Sequence, residues 1–283
     1  MFEAFYNFTN TPFSRTIPTD KLYRGNDSDE LIERLKYAAK RQLFAVVLGD
    51  CGTGKTTTLR RFCDEIRDSK HATLYLSDSK LTPRMFYKNM LEQLGFEAKY
   101  YRSEAKRQLH KEIEIMQAVD GVTLVAIVDE AHLLSKEMLE EIRFLLNKQK
   151  YLNAQKTRIQ FGMDSQSPMT LILSGQTELW DKLKLQPYAA IRQRIDIQCI
   201  VGRLDRARTT EYISAQLAYA GSDREIFTEA AIDEIFKFSG GIPRLINKAC
   251  FETLMYGTQN RKTILDDRMV KLVVEQELIG GNS

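Results

Sequence analysis

The segment Gly49-Asp50-Cys51-Gly52-Thr53-Gly54-Lys55-Thr56 has the form G-x-x-x-x-G-K-S/T, and it limits the fold more than any other stretch of the chain. Such a loop works only between a buried strand and the N-terminus of a helix. Its glycines let backbone N–H groups curl round phosphate oxygens, and the helix end adds partial positive charge. Both flanks fit. Leu43 to Leu48 is an unbroken apolar run suited to a strand covered on both faces, and Leu59, Phe62, Cys63 and Ile66 recur at helical spacing after the loop. The motif therefore predicts nucleotide contacts from Gly49, Asp50, Cys51, Gly52, Thr53, Gly54, Lys55, Thr56 and Thr57. Lys55 would reach the β- and γ-phosphates, and the Thr56 hydroxyl would ligate Mg²⁺.

A nucleotide-hydrolysing site also needs a carboxylate for the metal and a base for the attacking water. Thr123-Leu124-Val125-Ala126-Ile127-Val128 is a second apolar strand, and Asp129-Glu130 follows it directly. Asp129 is assigned to Mg²⁺ and Glu130 to the water. The continuation Ala131-His132 spells the tetrapeptide of a helicase class, but 283 residues are too few for the second RecA-like domain such an enzyme requires.

Further strands are expected at 72–77, 169–174 and 195–201, alternating with amphipathic segments, which argues for a parallel sheet between helices. Beyond residue 201 the pattern is helical at 206–219, 228–238, 243–256 and 266–275. The expected organisation is an α/β nucleotide-binding domain over 1–202 and a small helical lid over 203–283. No apolar run approaches the ~20 residues of a membrane span, and the N-terminus lacks the layout of a signal peptide, so a cytoplasmic protein without a membrane is expected. The four cysteines have no C-x-x-C spacing and are expected to be reduced. A net charge of +3 permits nucleic-acid binding only if the charge is clustered.

The Asp129-Glu130 pair, the alternating elements and the late helical segment point together to the AAA+ class of P-loop ATPases, an α/β fold with a five-stranded parallel sheet and a helical lid. That class implies three more elements. Leu171-Ile172-Leu173-Ser174-Gly175-Gln176 ends a strand in polar residues, where a γ-phosphate sensor belongs; Gln176 is the first candidate and Ser174 the alternative. Arg192 and Arg194 precede the last strand, where an arginine finger for a neighbouring subunit's nucleotide would lie, Arg194 being the first choice. Arg244, in Gly240-Gly241-Ile242-Pro243-Arg244, begins a lid helix and could fold over the phosphates.

The opening Phe5-Tyr6-Asn7-Phe8-Thr9-Asn10-Thr11-Pro12-Phe13 with Leu22-Tyr23 resembles the ExeA-like ATPases. So do the loop, Val128 to Leu134, Leu173 to Leu179, and Ser239 to Asn247. This group includes the TnsC-like ATPases of transposition, related to MuB, and the secretion ATPase ExeA. The resemblance implies an N-terminal segment near the nucleotide, with Leu22 and Tyr23 among its contacts. It also implies a homo-oligomer, ring or helical filament, that binds ATP and Mg²⁺, coats or encircles double-stranded DNA and recruits or activates a transposase, hydrolysis driving disassembly. The chain ends after the helical lid, which favours the transposition branch; a secretion or envelope-assembly ATPase and a weakly hydrolysing scaffold are the alternatives. In the family the segment before the Mg²⁺ strand often faces DNA. Here it carries Lys99, Arg102, Lys106, Arg107 and Lys111 among Tyr100 and Tyr101, with Glu104, Glu112 and Glu114 in the same stretch. Residues 148–158, which resemble an insertion, supply Lys148 and Lys150 as a second candidate DNA contact.

Overall fold

The computed structural model describes residues 2–67, 70–78, 80–146 and 167–279. In chain order the helices and strands are α1 (Phe2–Tyr6), α2 (Asn26–Arg41), β1 (Phe44–Leu48), α3 (Lys55–Ile66), β2 (His71–Leu76), α4 (Pro83–Gln93), α5 (Arg102–Ile115), β3 (Thr123–Val128), α6 (Lys136–Leu145), β4 (Thr170–Gly175), α7 (Thr177–Lys184), α8 (Ala189–Arg192), β5 (Ile197–Ile200), α9 (Arg206–Tyr219), α10 (Glu229–Ser239), α11 (Pro243–Gln259) and α12 (Asp267–Val273). They form two compact units. One comprises 27–49 and 55–201; the other comprises 1–26, 50–54 and 202–283.

The first unit is built on a parallel sheet of order β2-β3-β4-β1-β5. The apolar runs are strands because both faces are covered. Val46, Leu48, Ala126, Val128, Leu171 and Leu173 point to one core with α4 to α7, and Ala45, Val47, Val125, Ile127 and Ile172 point to another with α2 and α3. β1 sits between β4 and β5, so the chain leaves β1 where the strand order reverses. Ligands of open α/β sheets bind outside the carboxyl ends of strands at such a point. Register pairs Leu48 with Gly175 and Val128 with Leu173. The residues that follow β1 and β3 therefore emerge on one edge, beside the end of β4.

Between α4, α5 and α6 lies a buried polar group that the sheet does not need. Tyr87 Oη donates to Glu141 Oε1 at 2.5 Å, and Lys106 Nζ donates to the same oxygen at 2.9 Å. Burial would raise the Glu141 pKa, but these two bonds hold it below the ordinary value. His110 is also buried, and its pKa is pushed down to about 4, first by burial and then by Lys106, with Glu141 acting in the opposite sense. A histidine depressed in this way stays neutral in the folded chain while the unfolded chain takes up a proton. Its contribution is thus fully present above pH 6.5 and is lost as pH falls towards 4. Between pH 7 and 4.5 the loss amounts to roughly 2–3 kcal/mol. His110→Leu should therefore flatten the acid limb. The parent's thermal midpoint should fall roughly 5–10 °C further than the variant's between those pH values. Equal shifts would disprove it.

The second unit packs α9 to α12 around Ile213, Phe227, Ile235, Ile246, Leu254 and Val270, and the aromatic N-terminus joins that core through Phe2, Tyr6 and Phe13. Tyr6 stacks on Phe8 and donates its hydroxyl to the Lys262 carbonyl at 2.9 Å. Residues 2–26 thus pack with the helical segment. α9 starts on an Asp205 cap and α10 on a Thr228 cap, each side chain accepting a backbone N–H. The four cysteines are free thiols, with Cys51 exposed, Cys63 intermediate, and Cys199 and Cys250 buried. Among the described residues no helix is long and apolar enough to cross a membrane.

Candidate nucleotide site

In the sheet unit, Gly49 follows β1, its N–H on the Gly175 carbonyl at 3.3 Å. The buried Lys55 Nζ donates to the Gly49 carbonyl at 2.7 Å, so the ammonium is folded back along the loop. Thr56, in the first turn of α3, donates its hydroxyl to Asp129 Oδ2 at 2.9 Å. The two predicted metal ligands are therefore neighbours. Asp129 is 4% exposed, and burial would raise its pKa. Hydrogen bonds outweigh this and lower it: Tyr75 Oη donates to Oδ2 at 2.5 Å, and the Glu130 backbone N–H donates to Oδ1 at 2.9 Å. Ser174 faces the same carboxylate without a well-formed hydrogen bond. Asp129 is thereby kept as an anion in a buried place.

The donor set can be tested against the metal. Mg²⁺ takes oxygen ligands and is usually held by one or two protein groups together with substrate phosphates and water. A hydroxyl and a carboxylate meet that requirement. No group of three or more His, Cys, Asp or Glu suited to a metal occurs among the described residues, so an all-protein cage is absent from that part of the chain. The residues fit a metal that arrives with its nucleotide.

Glu130 has a left-handed backbone, φ 52°, ψ 33°. That conformation is costly for a residue with a Cβ and tends to occur where function fixes a side chain. The half-exposed carboxylate lies 3.5 Å from His132 Nδ1. Gln176, just after β4, faces the other side of the His132 ring.

In the helical unit, the loop residues Asp50 to Gly54 have their own partners. Arg203 grips Asp50 Oδ2 with Nη2 at 2.6 Å and Nε at 2.8 Å. The Arg244 backbone N–H donates to the Gly52 carbonyl at 3.2 Å, and its Nη1 lies 3.4 Å from Cys51 Sγ. Gly52 has φ +84°, and a Cβ there would come within 2.8 Å of the Arg244 Cβ, so only glycine permits this approach. Leu22 and Tyr23 lie beside α9: Tyr23 Oη donates to Glu211 at 2.7 Å and its ring meets Tyr212 edge-on.

The arginines before β5 are placed differently from each other. Arg192 Nη1 donates to the Lys184 carbonyl at 2.7 Å, capping the C-terminus of α7. Arg194 is exposed and donates to the Arg143 carbonyl at 3.2 Å. Of the basic stretch, Lys106 is committed to the buried Glu141, and Arg102 pairs with Glu137 at 3.3 Å. Lys99, Arg107 and Lys111 are exposed, next to Tyr100 and Tyr101 at 70% and 64% exposure, with Arg84 stacked 4.6 Å from the Tyr100 ring. Lys148 and Lys150 lie outside the described residues. Sequence reasoning missed Tyr75 and Arg203. A tyrosine in an edge strand carries no motif, and only the pairing of β2 with β3 brings it to Asp129.

A parallel sheet with the glycine loop at its switch point, and Thr56 against Asp129, defines an ATP-binding P-loop α/β protein. The AAA domain family profile matches residues 38–183, and the chain belongs to that family. It is 27% identical over 259 residues to the General secretion pathway protein A of Aeromonas hydrophila, a match covering 90% of this chain and 44% of that protein. The chain thus spans less than half the length of this curated relative. Among solved structures it is similar to Drosophila ORC bound to DNA, with TM-score 0.70 and 16% identity over 98% of this chain and 66% of that chain. Cdc6p from Pyrobaculum aerophilum gives 0.69 and 14% over 96% and 73%. The Thermotoga maritima RuvB Holliday junction branch migration motor gives 0.58 and 18% over 96% and 72%. At these identities the likeness is one of fold.

Proposed function

We propose that the chain is a Mg²⁺-dependent ATPase that oligomerises on double-stranded DNA and recruits or activates a transposase, with hydrolysis of ATP to ADP and phosphate taking the assembly apart. The observation that carries the hydrolytic part is Thr56 against a buried, ionised Asp129, with Glu130 next in the chain. The loop N–H groups and Lys55 would hold the phosphates, and Thr56 and Asp129 would hold Mg²⁺. When bound, the metal supplies positive charge to the phosphoryl oxygens. Glu130 orients the attacking water and accepts its proton. Arg244 would contact phosphate from its place against Gly52, Gln176 would read the γ-phosphate, and the exposed Arg194 would act on a neighbouring subunit's nucleotide. Residues 203–283 would serve as the lid.

DNA binding is supported by the exposed Lys99, Arg102 and Arg107 beside two tyrosines, and by the fold shared with an ORC described as bound to DNA. A second reading, an ATPase of the secretion pathway, is favoured by the 27% identity to the Aeromonas protein over most of this chain. Anisotropy of a labelled 40-base-pair duplex separates the two. With Mg²⁺ and a slowly hydrolysed ATP analogue, binding should be at least tenfold tighter than with ADP and should weaken steeply with salt. No nucleotide-dependent affinity for DNA would sink the transposition reading and leave the secretion reading standing.

A further inference from the structure

Three side chains from two separate loops form a chain of contacts on the sheet edge. His132 lies in the single turn Ala131–Leu133 that follows Glu130, and its side chain is 14% exposed. Its Nδ1 is 3.5 Å from Glu130 Oε2, and its Nε2 is 3.2 Å from the Gln176 amide nitrogen. The turns are held close by backbone: a Cβ on Gly175 would stand 3.2 Å from the His132 backbone nitrogen.

We propose that His132 is a positioning residue that couples the orientation of Glu130 to that of Gln176. With the Gln176 NH₂ as donor, Nε2 accepts and the ring proton falls on Nδ1. That nitrogen lies on the Glu130 side of the ring. Nδ1 is buried and makes no hydrogen bond, so its tie to this carboxylate is electrostatic and loose at 3.5 Å. A loose tie suits a residue that must be aimed rather than locked. Withdrawal of the Gln176 amide towards another acceptor frees Nε2, and the ring can then turn and carry the Glu130 carboxylate with it.

The inference rests on the hydrolytic reading of Glu130, and two readouts keep the two apart. In the nucleotide-free protein, ¹⁵N spectra of the histidine rings at pH 8 should show His132 as the Nδ1–H tautomer, and Gln176→Ala should shift that population. An Nε2–H ring in the parent would overturn the relay whatever the enzyme does. In turnover assays, His132→Ala should lower kcat at least tenfold while KM for ATP stays within twofold, and His132→Asn should recover part of the loss. Once His132 is replaced, Gln176→Ala should cost less than it does in the parent. A parent that hydrolyses ATP beside a His132→Ala variant with unchanged kcat would reject the coupling and leave Glu130 in its role. A parent without turnover would reject the hydrolytic reading and the coupling together.

Discussion

Glu130→Gln is expected to reduce ATP turnover by roughly 10²- to 10⁴-fold, the range for loss of a positioned general base. The swap keeps the shape of the side chain and removes only its ability to accept a proton. The side chain is half-exposed, so the change should cost little stability, within about 0.5 kcal/mol. Asp129 keeps its bonds to Thr56, Tyr75 and the residue 130 backbone, none of which involves the Glu130 carboxylate. ATP affinity should therefore survive. Lys55→Ala makes the contrast: it removes the buried ammonium on the Gly49 carbonyl and should abolish binding and turnover together. Phosphate release at saturating ATP, with a fluorescent nucleotide to measure affinity, checks both. Parent and Glu130→Gln turning over at the same rate would leave Glu130 without a chemical role.

Gly241→Ala should be among the most damaging small substitutions in the helical unit. A Cβ at that position would sit 1.8 Å from the Leu204 carbonyl oxygen and 2.9 Å from its carbon, both backbone atoms that cannot step aside. The residue also has φ +76°, and its own carbonyl accepts the Leu204 N–H at 2.8 Å. Left-handed backbone alone costs alanine about 1–2 kcal/mol. Breaking the contact with 204 adds to this, and a loss on the order of 4 kcal/mol is expected. Gly240→Ala is the control. It too is left-handed, at φ +54°, but its Cβ would meet only the Arg203 guanidinium, at 3.6 Å. It should lose only about 1–2 kcal/mol. Thermal unfolding followed by far-UV circular dichroism separates them, and equal losses at the two glycines would show that the Leu204 contact is not the cause.

The sheet could be read from the sequence because its strands are apolar runs, and the runs are apolar because helices cover both faces. The apolar run at 43–48 holds strand Phe44–Leu48, and the strand expected at 169–174 is Thr170–Gly175. The helix expected at 206–219 has those bounds, since Asp205 caps its start and Gly221 follows its end. The approach of Asp129 to Thr56 was legible for a different reason: each ends or follows a strand on the same sheet edge, so a local motif fixes a distant contact. Where a role depends on register or on two loops meeting, local pattern carries nothing. Tyr75 reaches Asp129 only because β2 runs parallel to β3 with Tyr75 opposite Ile127. His132 stood in plain view within a familiar tetrapeptide, yet its partner Gln176 lies on another strand's end. The aromatic residues at 2–13 likewise carry no sign that they belong to the helical core.

The distribution of thiols gives the loop a built-in spectroscopic handle. Cys51 is exposed, while Cys199 and Cys250 are buried and burial raises the pKa of each. Cys63 is only partly accessible, and burial pushes its pKa up to about 11, so little of it is thiolate near neutral pH. A maleimide dye added in limiting amount will therefore settle on Cys51 without any engineered cysteine. A fluorophore there stands beside the glycines that give the motif its shape, and its emission would report loop occupancy in real time, in the unmodified sequence.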